Sequence, residues 1–283
     1  MTTESSDGRV SIVTGANSGI GFAVATGLAK MGWQVALVCR DKGRGEAAVS
    51  DIRKATGNNH LELMLADLSS LQSVRKLAAD FIASHDRLDL LMNNAGVLFG
   101  KRTPTPDGLE TTFTVNYLSH FLLTNLLLDL LKKSAPSRIV NVSSDSHFSG
   151  KMNFNDLQQE KRYSALKAYS QSKLAQILFT HELSKRLEGT RVTVNSVHPG
   201  AVRTHWADEG GAFGIGVRIA RPFFASPEKG ARTPLYVATS PEVEGVSGKF
   251  FSKMKERQSS KESYDDAEAK RLWDESMKLS GLA

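Results

Sequence analysis

The chain has almost no cysteine and no long apolar run. Cys39 is the only cysteine among 283 residues, so neither an intrachain disulfide nor a cysteine-based metal site can form. The most apolar stretch, residues 121–131, is interrupted by Thr124, Asn125 and Asp129 and is too short to span a bilayer. The N-terminus carries no apolar signal-peptide core. We therefore expect a soluble cytoplasmic protein without a membrane span.

The sequence also lacks a strong charge imbalance and a metal-binding motif. Its 36 basic and 30 acidic residues give a net charge of +6, and the basic residues are spread along the whole chain. The cluster at 253–257 has no aromatic residues between its charges, so we predict no nucleic-acid partner. The histidines show no metal-ligand spacing, so we predict no metal. A composition of 40% hydrophobic and 23% charged residues is typical of a globular protein, apart from a flexible N-terminus at residues 1–8.

Short β-rich runs alternate with helix-length segments along the chain. Nearly continuous apolar runs are typical of parallel strands that are covered on both faces. Their repetition predicts an α/β fold with a doubly wound, Rossmann-type parallel sheet, helices on both faces and one domain over residues 9–283. The predicted strands are 10–14, 34–39, 61–66, 88–93, 138–143 and 192–197, with a short seventh strand near 248–252. A C-terminal amphipathic helix is indicated by the spacing of Ala269, Leu272, Trp273 and Met277.

A glycine-rich turn joins the first predicted strand to a helical pattern. Its glycines fall at 15, 19 and 21, a G-x-x-x-G-x-G spacing. A tight turn without side chains lets the backbone approach a pyrophosphate at the positive N-terminus of a helix. This pattern predicts that a dinucleotide is bound by Gly15, Asn17, Ser18, Gly19, Ile20 and Gly21.

Arg40 occupies the position that usually selects between NAD and NADP. Proteins that use NAD place an acidic residue at the end of the second strand, where it binds the ribose 2′-hydroxyl. Here that place holds Arg40, whose guanidinium can bind a 2′-phosphate, and Lys42 and Arg44 add charge nearby. The alternative is a solvated Arg40, which the neighbouring Asp41 leaves open. The sequence predicts NADP(H) in preference to NAD(H).

Tyr169 and Lys173 form the candidate catalytic pair. Residues four apart lie on one helical face, so the two side chains project together. A nearby ammonium favours the phenolate and can lower the pKa of a phenol, which makes the tyrosine usable as a general acid or base. Ser144 follows the predicted fifth strand, at the sheet edge where ligands bind, and its hydroxyl can hold a substrate oxygen.

A second pair, Tyr163 and Lys167, has the same spacing six residues earlier. We prefer Tyr169 because the small Ser170 and Ser172 flank it and leave space for a nicotinamide and a substrate. The residues after Lys173 also continue as a core helix, whereas Tyr163 follows a charged stretch.

Taken together, the motifs resemble the short-chain dehydrogenase/reductase family. They occur in the expected order at 14–21, Asn93-Asn94-Ala95-Gly96, Ser144, Tyr169 to Lys173 and Pro199-Gly200, and they cover nearly the whole chain. The resemblance implies that Lys173 also bonds the nicotinamide ribose and that Asn116 supports a water-linked proton relay. It further implies that the remaining cofactor contacts are Asp67 and Leu68 near adenine, Asn94, Ala95 and Gly96 along the cofactor, and Pro199, Gly200, Val202 and Thr204 at the nicotinamide end.

The segment between Ser144 and Tyr169 is longer than is common in this family. The insert, with Asn153-Phe154-Asn155-Asp156-Leu157, is similar to the retinol dehydrogenase-like branch, as are 137–144, 197–200 and the terminal Arg271-Leu272-Trp273. The resemblance implies an NADP(H)-dependent oxidoreductase that interconverts an apolar aldehyde or ketone and its alcohol, and a homodimer or homotetramer.

Several alternatives stay open at this point. Residues 205–225 are predicted to form an apolar lid over the substrate, with an oligomer contact as the other interpretation. A protein that binds NADPH as a sensor or scaffold, without turnover, is the alternative function. A serine hydrolase built on Ser144, Asp145 and His147 is disfavoured because the chain has no G-x-S-x-G motif.

Overall fold

The computed structural model describes residues 8–200 and 225–283, and their strands form one eight-stranded sheet. Strand bounds are β1 Val10–Thr14, β2 Gln34–Cys39, β3 Leu61–Leu65, β4 Leu90–Asn93, β5 Ser137–Val142, β6 Val192–His198, β7 Phe250–Ser252 and β8 Lys255–Arg257. All neighbours pair in parallel except β7 and β8, which are antiparallel. The predicted doubly wound α/β fold is confirmed.

Helices cover both faces of this sheet. Those that begin before residue 100 are α1 Gly19–Lys30, α2 Lys42–Thr56 and α3 Leu71–Ser84. Helix α4 is continuous through three segments, Thr111–Phe113, a π-helical turn Thr114–Leu118, and Ser119–Lys133. The later helices are α5 Ala165–Arg186, α6 Pro227–Thr239 and α7 Asp266–Ser280.

The strand order places a crevice at the carboxyl edge of the sheet. The order is β3-β2-β1-β4-β5-β6-β7-β8, so the winding direction reverses between β1 and β4. In open α/β sheets, ligands bind beyond the carboxyl ends of the strands at such a reversal. The fold alone therefore directs attention to the residues that follow β1 and β4.

Alternation along the strands supplies two separate cores. Ile12 belongs to the core beneath α3, α4, α5 and α7, whereas its neighbour Val13 belongs to the core beneath α1, α2 and α6. Both side chains are fully buried, as expected for a central strand that is covered on both faces. The predicted C-terminal helix is also present, with Trp273 in the first of these cores.

Several predicted element bounds differ from the structure by one or two residues. Strand β4 begins at Leu90 rather than at 88, because the Leu88 amide donates to the Ser134 hydroxyl instead of a neighbouring strand. Strands β3 and β5 end one residue earlier than predicted, and β6 extends one residue further, to His198. The helix that carries Tyr169 and Lys173, α5, starts at Ala165. Within residues 8–200 and 225–283, no helix is both long and apolar enough to cross a membrane.

Candidate active site

A cavity of about 820 Å³ lies at the carboxyl edge of the sheet. It runs from the turn after β1, past the ends of β2 and β3, to the ends of β4, β5 and β6. Nearly every predicted site residue that the structure describes lines it: Gly15, Asn17, Ser18, Gly19, Ile20, Gly21, Arg40, Asp67, Leu68, Asn94, Ala95, Gly96, Ser144, Tyr169, Lys173, Pro199 and Gly200. One cavity thus joins the glycine turn to the tyrosine–lysine pair.

The glycine turn leaves no room for a side chain at position 21 and little at position 15. Gly15 and Gly19 have φ angles of 67° and 56°, a region that glycine adopts without strain. A Cβ on Gly21 would lie 2.3 Å from the Gly15 carbonyl oxygen and 2.5 Å from Nδ2 of Asn94. The first turn of α1 is therefore packed directly against the turn that precedes it. The residues of this first turn line the cavity. The positive N-terminus of α1 therefore faces the cavity, and this position suits the pyrophosphate of a dinucleotide.

The end of β2 presents positive charge to the same cavity. Arg40 and Arg44 are exposed side chains that line its outer part. Asp41 lines the same part of the cavity, and its Oδ1 accepts a hydrogen bond of 2.7 Å from the Arg44 amide and caps α2. Asp67, at the end of β3, uses Oδ1 to accept from the amide and hydroxyl of Ser69.

Tyr169 and Lys173 lie on the cavity-facing side of α5. The Lys173 ammonium is 5.5 Å from the centre of the Tyr169 ring and donates to the carbonyl of Val142 and to Oε1 of Gln176. The Tyr169 hydroxyl is hydrogen-bonded to Ser144. A further bond, from the Ser143 hydroxyl to the Lys173 carbonyl at 2.9 Å, ties α5 to the end of β5. Three of the four predicted catalytic side chains, those of Ser144, Tyr169 and Lys173, therefore meet at one place.

Burial dominates the pKa values of this pair. It raises the pKa of Tyr169 to about 12, against a lowering by the Ser144 hydrogen bond, and it lowers the pKa of Lys173 to about 7. The spacing alone predicted that the ammonium would lower the pKa of the phenol. The structure differs because desolvation is the largest effect on each group, and the effect that lowers the pKa of Tyr169 is the Ser144 hydrogen bond. Tyr169 is accordingly held as a neutral phenol near pH 7, the form that can donate a proton.

Ser144 is positioned by its own turn and by a buried histidine. Its hydroxyl accepts from the Ser146 amide at 3.2 Å and caps the short 3₁₀ helix Asp145–Ser149. His147 bonds the Ser144 carbonyl through Nδ1, at 2.6 Å, and accepts from the Ser260 amide through Nε2. Both ring nitrogens are thereby engaged with backbone groups. This arrangement removes the basis for a hydrolase in which His147 would activate a serine.

Asn116 lies behind the cavity rather than in its wall. It sits in the π-helical turn of α4. Its Oδ1 accepts from the Val97 amide at 2.7 Å, and its Nδ2 donates to the Val97 carbonyl and the Ser172 hydroxyl. A Cβ on Gly96 would lie 3.5 Å from Oδ1 of Asn116 and 3.7 Å from the Lys173 ammonium. Asn116 therefore fixes the loop after β4 beside Lys173.

The second tyrosine pair has a structural role. Tyr163 precedes α5, so the helical relationship that its spacing to Lys167 suggested does not exist. The Tyr163 hydroxyl donates to the Phe99 carbonyl at 2.8 Å, and Lys167 is exposed to solvent. Tyr163 does not line the main cavity.

Sequence reasoning gave no role in the site to His120, Phe99 and His198, and it placed Thr14 in the motif at 14–21 without a role of its own. Phe99 and His198 line the cavity, while Thr14 and His120 are buried beneath it. The position of Thr14 just before Gly15, and the four-residue spacing from Asn116 to His120, were the available signals. Two predicted contacts, Val202 and Thr204, and the predicted lid at 205–225 up to residue 224 lie outside the described residues.

A family model, a known relative and solved structures all match most of this chain. The family model for short chain dehydrogenase matches residues 9–214. Retinol dehydrogenase 13 of Homo sapiens is 47% identical, over 97% of this chain and 85% of that protein. The crystal structure of an uncharacterised protein from Mycobacterium paratuberculosis is 34% identical with a TM-score of 0.79, over 96% of this chain and 93% of the other. The RhlG/NADP active-site complex of Pseudomonas aeruginosa is 25% identical with a TM-score of 0.71, over 93% and 100%.

Proposed function

The chain belongs to the short-chain dehydrogenase family, and we propose that it is an NADP(H)-dependent oxidoreductase that interconverts an apolar aldehyde or ketone and the corresponding alcohol. Family membership makes it an oxidoreductase that uses a nicotinamide cofactor, similar to retinol dehydrogenases. The observation that carries the finer proposal is the single cavity that joins the glycine turn to Ser144, Tyr169 and Lys173.

The residues of this cavity fit a dinucleotide from end to end. The glycine turn and the N-terminus of α1 would hold the pyrophosphate, and the loop that begins at Asn94 would lie along the nicotinamide half. Asp67 and Leu68 would border the adenine. When bound, the nicotinamide supplies or accepts the hydride. The protein's own residues orient the substrate and move the proton.

In the direction of reduction, the carbonyl carbon gains a hydride and the carbonyl oxygen gains the hydroxyl proton of Tyr169. Because its pKa is raised, the hydroxyl of Tyr169 stays protonated at neutral pH and has a proton to donate. Ser144 contributes a second hydroxyl at the same oxygen and orients it. The phenolate that is left lies next to the Lys173 ammonium, which stabilises it until water returns a proton. Oxidation of an alcohol runs through the same groups in reverse.

Two features support an apolar substrate. The cavity wall includes Val97, Phe99 and Pro199, which offer carbon surface. Retinol, which gives the relatives their name, is itself an apolar alcohol. A substrate bound largely by its apolar surface would leave orientation of the reacting oxygen to Ser144 and Tyr169.

The proposed preference for NADP(H) rests on the charge at the end of β2. Arg40 and Arg44 are exposed and line the cavity, where a 2′-phosphate would lie, and the carboxylate of Asp41 accepts from the Arg44 amide. A guanidinium binds phosphate oxygens in a bidentate manner. The similar RhlG structure is itself an NADP complex.

Replacing Tyr169 tests the proposal directly. Tyr169→Phe keeps the ring and removes the proton, so NADPH oxidation with a panel of aldehydes and ketones should fall by roughly 100-fold or more. Tyr163→Phe is the matched control, because its hydroxyl binds the Phe99 carbonyl and does not line the cavity; it should largely spare turnover. Loss of activity in Tyr163→Phe with activity retained in Tyr169→Phe would reverse the assignment.

The sensor alternative predicts a different outcome. A protein that only senses NADPH would bind the cofactor but would not oxidise it in the presence of any of the carbonyl compounds. The presence of Ser144, Tyr169 and Lys173 around one point disfavours this alternative, since binding alone requires no proton donor.

A further inference from the structure

His120 is a fully buried histidine beneath the cavity that the proposed mechanism does not use. It lies on α4, one turn after Asn116, and only 1% of its surface is exposed. Nε2 lies 2.9 Å from the hydroxyl oxygen of Thr14, and Nδ1 lies 3.1 Å from the carbonyl oxygen of Asn116. The imidazole therefore bridges the strand that leads into the glycine turn and the π-helical turn of α4.

The hydrogen bonds of the Thr14 hydroxyl determine which ring nitrogen of His120 carries the hydrogen. The Thr14 hydroxyl oxygen accepts from the amides of Asn94 and Ala95, at 2.9 Å and 3.0 Å. Both lone pairs are then used, so the hydroxyl must donate its own proton. The nearer acceptor is Nε2 of His120, at 2.9 Å, compared with 3.4 Å to the Met92 carbonyl. Nε2 is thus the unprotonated nitrogen, and Nδ1–H donates to the Asn116 carbonyl.

The chain of bonds ends at the residues that face the proposed reaction. Thr14 holds the amides that open the loop after β4, and Asn116 holds Val97 at the other end of the same loop. Gly96 lies between them, close to the Lys173 ammonium. A change at His120 would therefore reach both ends of a four-residue loop that lines the cofactor cavity.

We propose that His120 is a positioning residue that, as a neutral Nδ1–H imidazole, couples the Thr14 hydroxyl to the Asn116 carbonyl and so sets the loop 94–97 for hydride and proton transfer. This inference rests on the proposed function, because it assigns a purpose to the loop geometry in that reaction. Neutrality agrees with the surroundings. Burial lowers the pKa of His120 to about 4, against the raising effect of the bond to Asn116 and with a smaller lowering by the nearby Lys173 charge.

Two measurements that do not depend on turnover test the coupling. In the cofactor-loaded protein, ¹⁵N NMR of His120 should show protonated Nδ1 and unprotonated Nε2 through the neutral pH range. Hydrogen exchange should show slow exchange at the amides of Asn94 and Ala95. Exchange at these two amides should be roughly 10-fold faster in His120→Leu, which fills the site but cannot accept from Thr14. In His120→Gln, whose amide oxygen can replace Nε2, exchange should stay near wild type.

Kinetics then separate a positioning role from simple packing. In His120→Leu, kcat should fall roughly 10- to 100-fold while the KM for the carbonyl substrate changes little, because the reacting groups are misplaced rather than removed. His120→Gln should recover most of this loss. Thr124→Val is the matched control: Thr124 is buried on the same helix and accepts from Asn93 at 3.1 Å, away from the cavity. It should lower the melting temperature and leave kcat unchanged.

The outcomes distinguish this inference from the proposed function. If wild type turns over and Tyr169→Phe does not, but His120→Leu retains its kcat and its slow exchange at residues 94 and 95, the coupling is wrong and the function stands. A protonated Nε2 in the NMR spectrum would overturn the coupling by itself. If wild type oxidises NADPH with no carbonyl compound, the proposed function fails, while the NMR and exchange results still decide whether His120 holds the loop.

Discussion

Lys173 is a cation in a place that disfavours charge. Its side chain is 3% exposed, and the acceptors of its ammonium are a backbone carbonyl and an amide oxygen rather than a carboxylate. Neutral acceptors compensate a buried charge only partly, which is why its pKa falls to about 7. We interpret this incompletely compensated burial of the ammonium as a loss of stability that the proposed catalytic role requires.

Lys173→Met should therefore stabilise the protein while abolishing its activity. The pKa of the lysine is about 7 in the folded state and 10.5 when unperturbed. The cost of burying the ammonium is fully present below pH 7 and declines as the pH rises towards 10.5, because over that range the unfolded chain binds more protons than the folded one. We expect a gain of about 1–2 kcal/mol in the free energy of unfolding at pH 6, shrinking towards pH 10.

Denaturant unfolding at both pH values measures this effect. The exposed Lys167→Met, on the same helix, is the control and should change neither stability nor activity. A variant at 173 that is less stable than wild type at pH 6 would show that the hydrogen bonds of the ammonium outweigh its desolvation.

Arg40 carries the second prediction for a single side chain. Arg40→Asp places a carboxylate where a 2′-phosphate would lie, so repulsion replaces attraction. The ratio of kcat/KM for NADPH to that for NADH should fall by at least roughly 100-fold, with NADH becoming the better cofactor. Lys54→Asp, an exposed change of the same charge on α2, should leave the ratio unchanged. An unaltered ratio in Arg40→Asp would show that Arg40 is solvated and does not select the cofactor.

At the level of elements, the insert after Ser144 docks back onto the helix that carries the candidate catalytic pair. Gln171, between Tyr169 and Lys173, donates to the Leu157 carbonyl at 2.9 Å. A Cβ on Gly150 would lie 2.6 Å from the Ser170 carbonyl oxygen, so the insert runs very close to α5. The insert thus supports α5 from outside the sheet and, through Tyr163, holds the Phe99 loop at the cavity wall.

The C-terminal helix α7 closes the core over α4 and α5. Trp273 contacts Phe121 with a ring-centre distance of 5.0 Å and Phe179 at 5.9 Å, and the Arg186 guanidinium lies 4.0 Å from its ring. The Tyr117 hydroxyl bonds Ser276 at 2.7 Å. The helix therefore stabilises the outer side of the elements whose inner side forms the site.

Trp273→Ala should destabilise the protein without altering its chemistry. Removal of a large buried ring costs about 3–5 kcal/mol, seen as a lower denaturation midpoint in urea. Turnover per folded molecule should stay at the wild-type value, because α7 does not line the cavity. Leu166→Ala, at a side chain that is 59% exposed, is the control and should change little. A small effect of Trp273→Ala would indicate that α7 is only loosely docked.

Over the whole molecule, topology assembles a site from residues far apart in the chain. The turns after β1, β4 and β5 contribute Gly15, Asn94 and Ser144 to one edge, because parallel strands all end on the same side. The last residue of β6, His198, lies at the same edge. The net charge of +6 adds a general attraction for an anionic cofactor, and Arg40 and Arg44 concentrate it at the opening of the cavity.

Local pattern was enough to predict the sheet, most strand positions and the candidate site residues. Apolar runs, glycine spacing and the Tyr169–Lys173 interval depend on neighbours in the chain, and these relations survive into the fold. Local pattern predicted the ends of strands less accurately. The Leu88 amide, for example, donates to the hydroxyl of Ser134, which is 46 positions away and is connected to it by no local pattern.

Only the tertiary structure decided the electrostatics and the supporting contacts. The sequence could place an ammonium near a phenol, but how far each pKa moves depends on how completely the fold excludes water from them. In the same way, His120 was one histidine among several until folding brought it between Thr14 and Asn116. Identity and spacing along the chain determine which groups are available, whereas burial and distance between strands determine what those groups can do.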